Sequence, residues 1–273
     1  MLPISVIIAT LNEERNIAQC LDTVKANNPE EIIVIDGGSI DKTVSVATKK
    51  GVNLIEVEKL GVAYQQQVGI ETAKSHYIAI VDAFDRLEHN CLTILLKELN
   101  ANQFDAIQAF IAIDEPNSYC QKAYAYNAIH NLNTPGKTIM CGRPAIFKSE
   151  VIKKVGFDWK NFGIGVGCVD TDVSIRLEML GYSQGKGTGV THRNIPESFV
   201  TWVEKMVKYG KGDAVLIKKY PHKKWSIRKH QLFTYPFARS FSVFIKGGAL
   251  YIPFFIIFGY IRYIVSITWK KSI

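Results

Sequence analysis

His76-Tyr-Ile-Ala-Ile-Val-Asp-Ala-Phe-Asp-Arg86 is an apolar, strand-like run that ends abruptly in acid at Asp82 and Asp85. In an α/β sheet, ligands collect at the carboxyl ends of the strands. Carboxylates there can hold a divalent cation, and the cation can hold a diphosphate. The same kind of junction occurs twice earlier. Ile4-Ser-Val-Ile-Ile-Ala-Thr-Leu-Asn-Glu-Glu14 ends in Thr10, Asn12 and Glu13, and Ile32-Ile-Val-Ile-Asp-Gly-Gly-Ser-Ile-Asp-Lys-Thr43 turns polar at Asp36. Three strands ending this way describe a nucleotide site.

Working outward, strands are expected at 4–9, 32–35, 53–57 and 77–81, with helices at 13–26, 41–50 and 62–74 between them. Ile17, Leu21 and Val24 mark the inner face of the first helix. Such alternation predicts a parallel sheet wound with helices. Unbroken apolar strands such as Ile32-Ile-Val-Ile35 fit a sheet covered on both faces. A helix at 90–100 and a strand at 105–113 continue the pattern, and Tyr119 to His130 reads as helical. Gly163-Ile-Gly-Val-Gly167 is a loop before a helix at 171–180, for which Asp170 is a natural N-cap and Gly181 a stop.

The charge is uneven. Residues 201–273 hold fourteen Lys or Arg against two Asp or Glu, while residues 1–200 hold nineteen against twenty-three. A basic tail binds either nucleic acid or an anionic membrane surface. The tail is also apolar: residues 247–261 carry no charge, Arg262 interrupts, and Tyr263 to Trp269 is apolar again. The uncharged run is shorter than the roughly 18–20 residues of a simple span. Including Arg262 costs about 2.5–3.5 kcal/mol near a helix centre. Tyr251, Tyr260, Tyr263 and Trp269 favour the headgroup level, so in-plane or re-entrant helices are expected over a full span, with a buried core helix as the alternative, and nucleic acid is not expected. The five cysteines are odd in number and widely spaced, with no Cys-x-x-Cys, which fits buried free thiols in a reducing compartment. Met1 leads straight into a strand, so no signal peptide is expected, and the body should lie at the cytoplasmic face of a membrane.

The three junctions resemble the N-terminal half of family-2 glycosyltransferases of the GT-A fold, over roughly residues 3–215. That family reads S-V-I-I-x-T-x-N-E-E, then V-V-D-x-G-S-x-D-x-T, then an acidic D-x-D. Here Phe84 stands at the second acidic place and Asp85 follows it. The resemblance implies a GT-A-like (Rossmann-like) catalytic domain over 1–215, and charge and hydropathy add a basic, apolar membrane-associating segment over 216–273. It implies nucleotide contacts from Thr10, Asn12, Glu13, Asp36, Gln66 and Asp82. For Asp36 the plain reading is a turn residue before two glycines; Asp41 and Thr43 read as caps of the next helix. Gln66 stands where the family carries an Arg, which removes a cation. Mg²⁺ or Mn²⁺ would sit on Asp82 and Asp85, with His192 as a further ligand.

Gly167-Cys-Val-Asp-Thr-Asp-Val-Ser-Ile-Arg176 resembles E-D-x-D-L-x-x-R, with Val169 for the usual Glu. Asp170 falls at the general base, and Arg176 reads as a brace. Arg143, Lys208 and Lys211 are candidate phosphate or acceptor contacts; the last two lie in a segment that resembles the family's R-Y-G-R-G. The implied reaction is inverting hexosyl transfer from a nucleoside diphosphate sugar to an acceptor hydroxyl, and the membrane-associating tail, not the motifs, points to a lipid-linked or membrane-associated glycan as that acceptor. Two other classes fit less well. A nucleotidyltransferase would want a Gly-rich basic loop where Thr10-Leu-Asn-Glu-Glu14 stands. A catalytically weakened binding protein would account for Phe84, Gln66 and Val169.

Overall fold

The computed structural model describes residues 1–58, 60–195 and 197–269. In chain order the first elements are β1 (Leu2–Thr10), α1 (Ile17–Ala26), β2 (Pro29–Asp36), α2 (Thr43–Lys49), β3 (Asn53–Glu56), α3 (Val62–Thr72), β4 (Tyr77–Asp82) and β5 (Asp85–Leu87). They are followed by α4 (Cys91–Ala101), β6 (Ala106–Ile113), α5 (Tyr119–Asn127), β7 (Gly136–Thr138), β8 (Ala145–Lys148), α6 (Ser149–Val155), α7 (Val169–Met179) and β9 (Gln184–Arg193). The chain closes with α8 (Phe199–Lys219), α9 (Lys224–Lys229), α10 (Arg239–Ile245) and α11 (Ile252–Thr268).

It divides into two compact units. The first comprises Met1–Ala112, Pro135–Ile164 and Val169–Asn194. The second comprises Ile113–Thr134, Gly165–Cys168 and the described residues from Ile195 onward. The boundary expected at residue 215 falls inside α8, which runs unbroken from Phe199 to Lys219.

In the first unit the strands form one sheet in the order β3-β2-β1-β4-β8-β6-β9-β5, with β7 on β9. β3, β2, β1 and β4 are mutually parallel, and β8 turns the direction by pairing antiparallel with β4 and β6. The sequence explains the centre. Ile4, Val6, Ile7 and Ile8 of β1 and Ile33 to Ile35 of β2 are fully buried, as strands covered on both faces must be. Ile17, Cys20, Leu21 and Val24 of α1 recur at helical spacing and are buried in the same core. Gly69 lets α3 lie directly on β1, because a Cβ there would collide with Ile7. Because β1 is flanked by β2 on one side and β4 on the other, the strand order reverses at β1. Open α/β sheets bind ligands at that point, beyond the carboxyl ends of the strands.

The second unit is helical. Ser118 opens α5 with a capping box to Gln121. The helical path from Lys224 to Ile245 widens to π-type turns over His230–Ala238. Pro236 lies inside that stretch and has no N–H to give to a regular ladder. Trp202 of α8 packs with Phe254, Phe255 and Phe258 of α11. Gly210 allows this approach, since a Cβ there would meet the Arg262 carbonyl oxygen at 2.6 Å.

Arg262 does not interrupt a lipid-facing run, as the sequence suggests. Its Nε and Nη2 grip Asp213 at 2.5 and 2.6 Å, and Gln231 donates to the same carboxylate at 2.7 Å. His230 lies near this charge. Burial first, then the Arg262 and Arg239 cations, lower its pKa from 6.5 to about 4, against the pull of Asp213. The folded unit therefore holds His230 neutral where the unfolded chain binds a proton. Its contribution to stability is intact above pH 6.5 and declines as pH falls toward 4. Unfolding followed by tryptophan fluorescence across this range should show that decline, and His230→Gln should flatten it.

Candidate functional site

The register brings the three junctions of the first unit together. Thr10 lies opposite Asp36, and Ala9 opposite Asp82, so the carboxyl ends of β1, β2 and β4 meet. Gln65 fastens two of them by donating to the carbonyls of Thr10 and Ile35 at 2.7 and 2.8 Å. Thr10 Oγ1 and Gln66 Oε1 are buried with no protein partner. Buried polar atoms normally have one, so both can serve an incoming ligand.

The loops after β1 and β2 hold each other. Asn12 takes a left-handed conformation, accepts from the Ile40 amide at 2.9 Å and donates its own amide to Ser39 Oγ at 2.8 Å. Asp36 is fully buried. Its Oδ2 accepts from the amides of Gly38 and Ser39 at 2.9 and 2.7 Å, and its Oδ1 from Ser39 Oγ at 2.5 Å. In this structure Asp36 shapes the loop after β2. Asp41 accepts from both the amide and the hydroxyl of Thr43, which begins α2. Glu13 is half-buried and accepts from Asn16 at 2.8 Å. Burial raises its carboxyl pKa, the Asn16 bond opposes this, and the nearby charges of Asp82 and Asp41 add to the rise.

At the end of β4 the acidic pair is already matched by cations. Arg193 grips Asp85 with Nε on Oδ1 at 2.7 Å and Nη2 on Oδ2 at 2.8 Å. The same Nη2 reaches Asp82 Oδ2 at 3.0 Å and the Arg143 carbonyl at 3.0 Å. Arg143 Nη1 lies 3.0 Å from Asp82 Oδ1. The Arg193 guanidinium also sits 5.1 Å from the centre of the Phe84 ring. Burial pushes the Asp85 carboxyl up, Arg193 pulls it down, and Asp82 pushes it up again.

His192 does not join this group. β5 pairs with β9 so that Asp85 faces Arg193 and Arg86 faces His192. Successive strand residues point to opposite faces, and His192 instead meets Glu88 at 2.7 Å. Among the described residues, no three His, Cys, Asp or Glu side chains converge to hold a metal ion. The three ligands expected for Mg²⁺ or Mn²⁺, Asp82, Asp85 and His192, therefore do not converge in this arrangement. Asp85 is closed off by Arg193, and Asp82 carries a guanidinium on each oxygen. Arg193 is the site residue the sequence reading missed; only the strand register reveals it.

Asp170 lies in the first turn of α7, one residue inside the helix, so it is not the N-cap expected of it. Cys141 feels its charge, and Ser174 of α7 bonds the amide and the carbonyl of Cys141 at 3.0 and 3.2 Å. Cys141 is two residues from Arg143 in sequence. Arg176 braces this helix by bonding Asp172 and the carbonyls of Val155 and Gly156. All five cysteines are buried free thiols, and burial drives Cys91 up to about 12. Lys208 and Lys211 belong to the second unit. The Lys208 carbonyl accepts from the Gly167 amide at 2.8 Å, and Lys211 Nζ lies 6.0 Å from the Trp269 ring centre.

A mixed α/β sheet with a parallel 3-2-1-4 half and polar strand ends at its switch point is the architecture of GT-A glycosyltransferases. Residues 5–156 match the model of glycosyl transferase family 2, and the chain belongs to that family. The low-salt glycan biosynthesis hexosyltransferase Agl6 of Haloferax volcanii is 34% identical over 107 residues, covering 37% of this chain and 26% of that protein. An uncharacterized glycosyltransferase of Rickettsia bellii is 29% identical over 128 residues, covering 45% and 43%. The matched part thus spans less than half the length of these relatives. The mannosyltransferase PcManGT from Pyrobaculum calidifontis, solved with GDP-Man and Mn²⁺, superposes with a TM-score of 0.69 over 99% of this chain and 88% of that one, at 18% identity. S. aureus TarS 1–349 with UDP-GlcNAc superposes at 0.56 over 85% and 76%, at 13% identity. At such identities the likeness is one of fold.

The buried pair sets an energetic expectation. Arg193→Ala strands the fully buried Asp85 and should lower unfolding free energy by about 3–5 kcal/mol. Asp22→Ala removes an exposed pair with Lys50 and should cost less than about 1 kcal/mol. Urea unfolding of the two variants measures the contrast.

Proposed function

We propose that the protein transfers a hexosyl group from a nucleoside diphosphate sugar to a hydroxyl of a membrane-associated glycan or lipid-linked acceptor, with inversion. The observation that carries this is the meeting of Thr10, Asp36 and Asp82 at the sheet's switch point, with Glu13 electrostatically coupled to Asp82. Asp170 is the proposed base. It takes the proton of the acceptor hydroxyl as that oxygen bonds to the anomeric carbon. The bond from that carbon to the diphosphate oxygen breaks, and the nucleoside diphosphate leaves with the electron pair. Single displacement from the opposite face inverts the anomeric centre. The Mn²⁺ belongs to the Pyrobaculum mannosyltransferase; in this chain Asp82 and Asp85 are held by arginines and no step is routed through a metal.

Protection against thermal unfolding by a panel of nucleotide sugars identifies the donor, since a ligand that binds only the folded state raises its stability. With that donor, Asp170→Asn should keep affinity within about twofold and cut transfer by about 10²–10⁴-fold. Unchanged transfer would remove Asp170 from the reaction.

The membrane part of the reading rests on the second unit. Phe233, Phe237, Phe241 and Phe244 are exposed and recur along one helical path at spacings of four, four and three. α11 buries Phe254, Phe255 and Phe258 against protein and exposes Ile257, Ile264 and Ile267. The helix from Ala249 to Thr268 is long and apolar enough to span a bilayer by length and composition. One of its faces, however, is committed to α8, which favours lying in the membrane plane. The fourteen cations of the tail select an anionic surface, and free thiols favour the cytoplasmic side. The chain should sediment with anionic liposomes and be released by high salt, because screening weakens the cationic attraction. Retention through high salt and alkaline carbonate would replace the in-plane reading with a spanning one.

A further inference from the structure

We propose that Arg143 and Arg193, and not a bound divalent cation, supply the positive charge that holds the donor diphosphate. This rests on the nucleotide-sugar reading above and specifies how that site meets its anion. The first support is charge balance. Asp82 and Asp85 carry two negative charges, and the two guanidiniums that contact them carry two positive ones. A divalent ion would reach the same balance on the same carboxylates. Since the arginines have already reached it, an incoming cation would have to displace a guanidinium that never deprotonates.

The second support is the residue at position 84. The acidic pattern of the family places a carboxylate there, and this chain places a phenyl ring. That ring faces the Arg193 guanidinium at 5.1 Å, so the missing acid and the added cation occupy one place. The third is accessibility. The Asp85 side chain is fully buried, whereas those of Asp82, Arg143 and Arg193 keep 14, 20 and 13% of their surface in solvent. The solvent-facing part of the cluster is shared by these three side chains, with Arg143 Nη1 itself buried. A guanidinium presents five N–H donors in a planar fork that suits phosphate oxygens, so an incoming diphosphate would share or displace contacts the two arginines already make. As the bond to the anomeric carbon breaks, negative charge grows on the departing diphosphate beside two fixed cations.

The test uses the full chain freed of metal by chelation. UDP, GDP and inorganic diphosphate are titrated calorimetrically in EDTA and in Mn²⁺, and the chain alone is titrated with Mn²⁺ by electron paramagnetic resonance. The expected result is binding of a nucleoside diphosphate whose Kd differs by less than about twofold between EDTA and Mn²⁺. Mn²⁺ should keep its free-ion spectrum. Arg143→Gln should weaken binding by about ten- to a hundredfold in both buffers, with circular dichroism and melting temperature showing an intact fold. Arg143→Lys, which keeps the charge, should recover part of the loss. Binding that appears only with Mn²⁺, or Mn²⁺ held by the chain and released by Asp82→Asn, overturns the arginine assignment and leaves the donor reading standing. Unchanged binding by Arg143→Gln also overturns it. Absence of binding by all three ligands in both buffers defeats the donor reading itself, and the assignment with it.

Discussion

A charge taken out of water must meet its opposite, and the catalytic end of the sheet is organised around one such meeting. Asp85 is fully buried at the start of β5, and Arg193 at the end of β9 answers it with two parallel hydrogen bonds. The residues are 108 apart in sequence, and their pairing fixes the β5–β9 register. That register turns His192 away and brings Arg193 to Asp82. Desolvating two charges costs several kcal/mol each, and good geometry offsets that cost without turning it into a large gain. The pair is thus better understood as a locator than as a source of stability.

The second unit solves the same problem separately. Arg262 and Asp213 meet in a helical core, with Gln231 completing the hydrogen bonds. Here too a charge that looks out of place in an apolar run acquires a partner from a distant helix. Gly210 makes room for the helix that carries it, so the Lys208-Tyr209-Gly210-Lys211-Gly212 segment serves packing through its glycines as much as charge through its lysines.

The parallel half of the sheet was legible because strands covered on both faces need unbroken apolar runs, and residues 6–9, 32–35 and 78–81 supply them. The helix boundaries shifted by a few residues, as at α1, which begins at Ile17 after a turn. The acidic strand ends were legible as a site because residue type and position suffice there. What could not be read were side-chain destinations. Nothing local tells that Asp36 turns back on its own loop, that Asp170 sits inside its helix, or that His192 and Arg193 fall on opposite faces. The division of the chain was equally hidden, since α8 carries no break at residue 215 and Ile113–Thr134 joins the second unit only through tertiary contact.

The arrangement at Phe84 has a consequence for mutational history. Phe84 touches Arg193 through its ring face and can be exchanged in one step. Arg193 cannot, because releasing it strands the buried Asp85. An acid placed at position 84 would therefore still meet the guanidinium, which can leave without stranding a charge only if Asp85 changes as well. The two routes out of this state are unequal in length, which makes the arginine a ratchet.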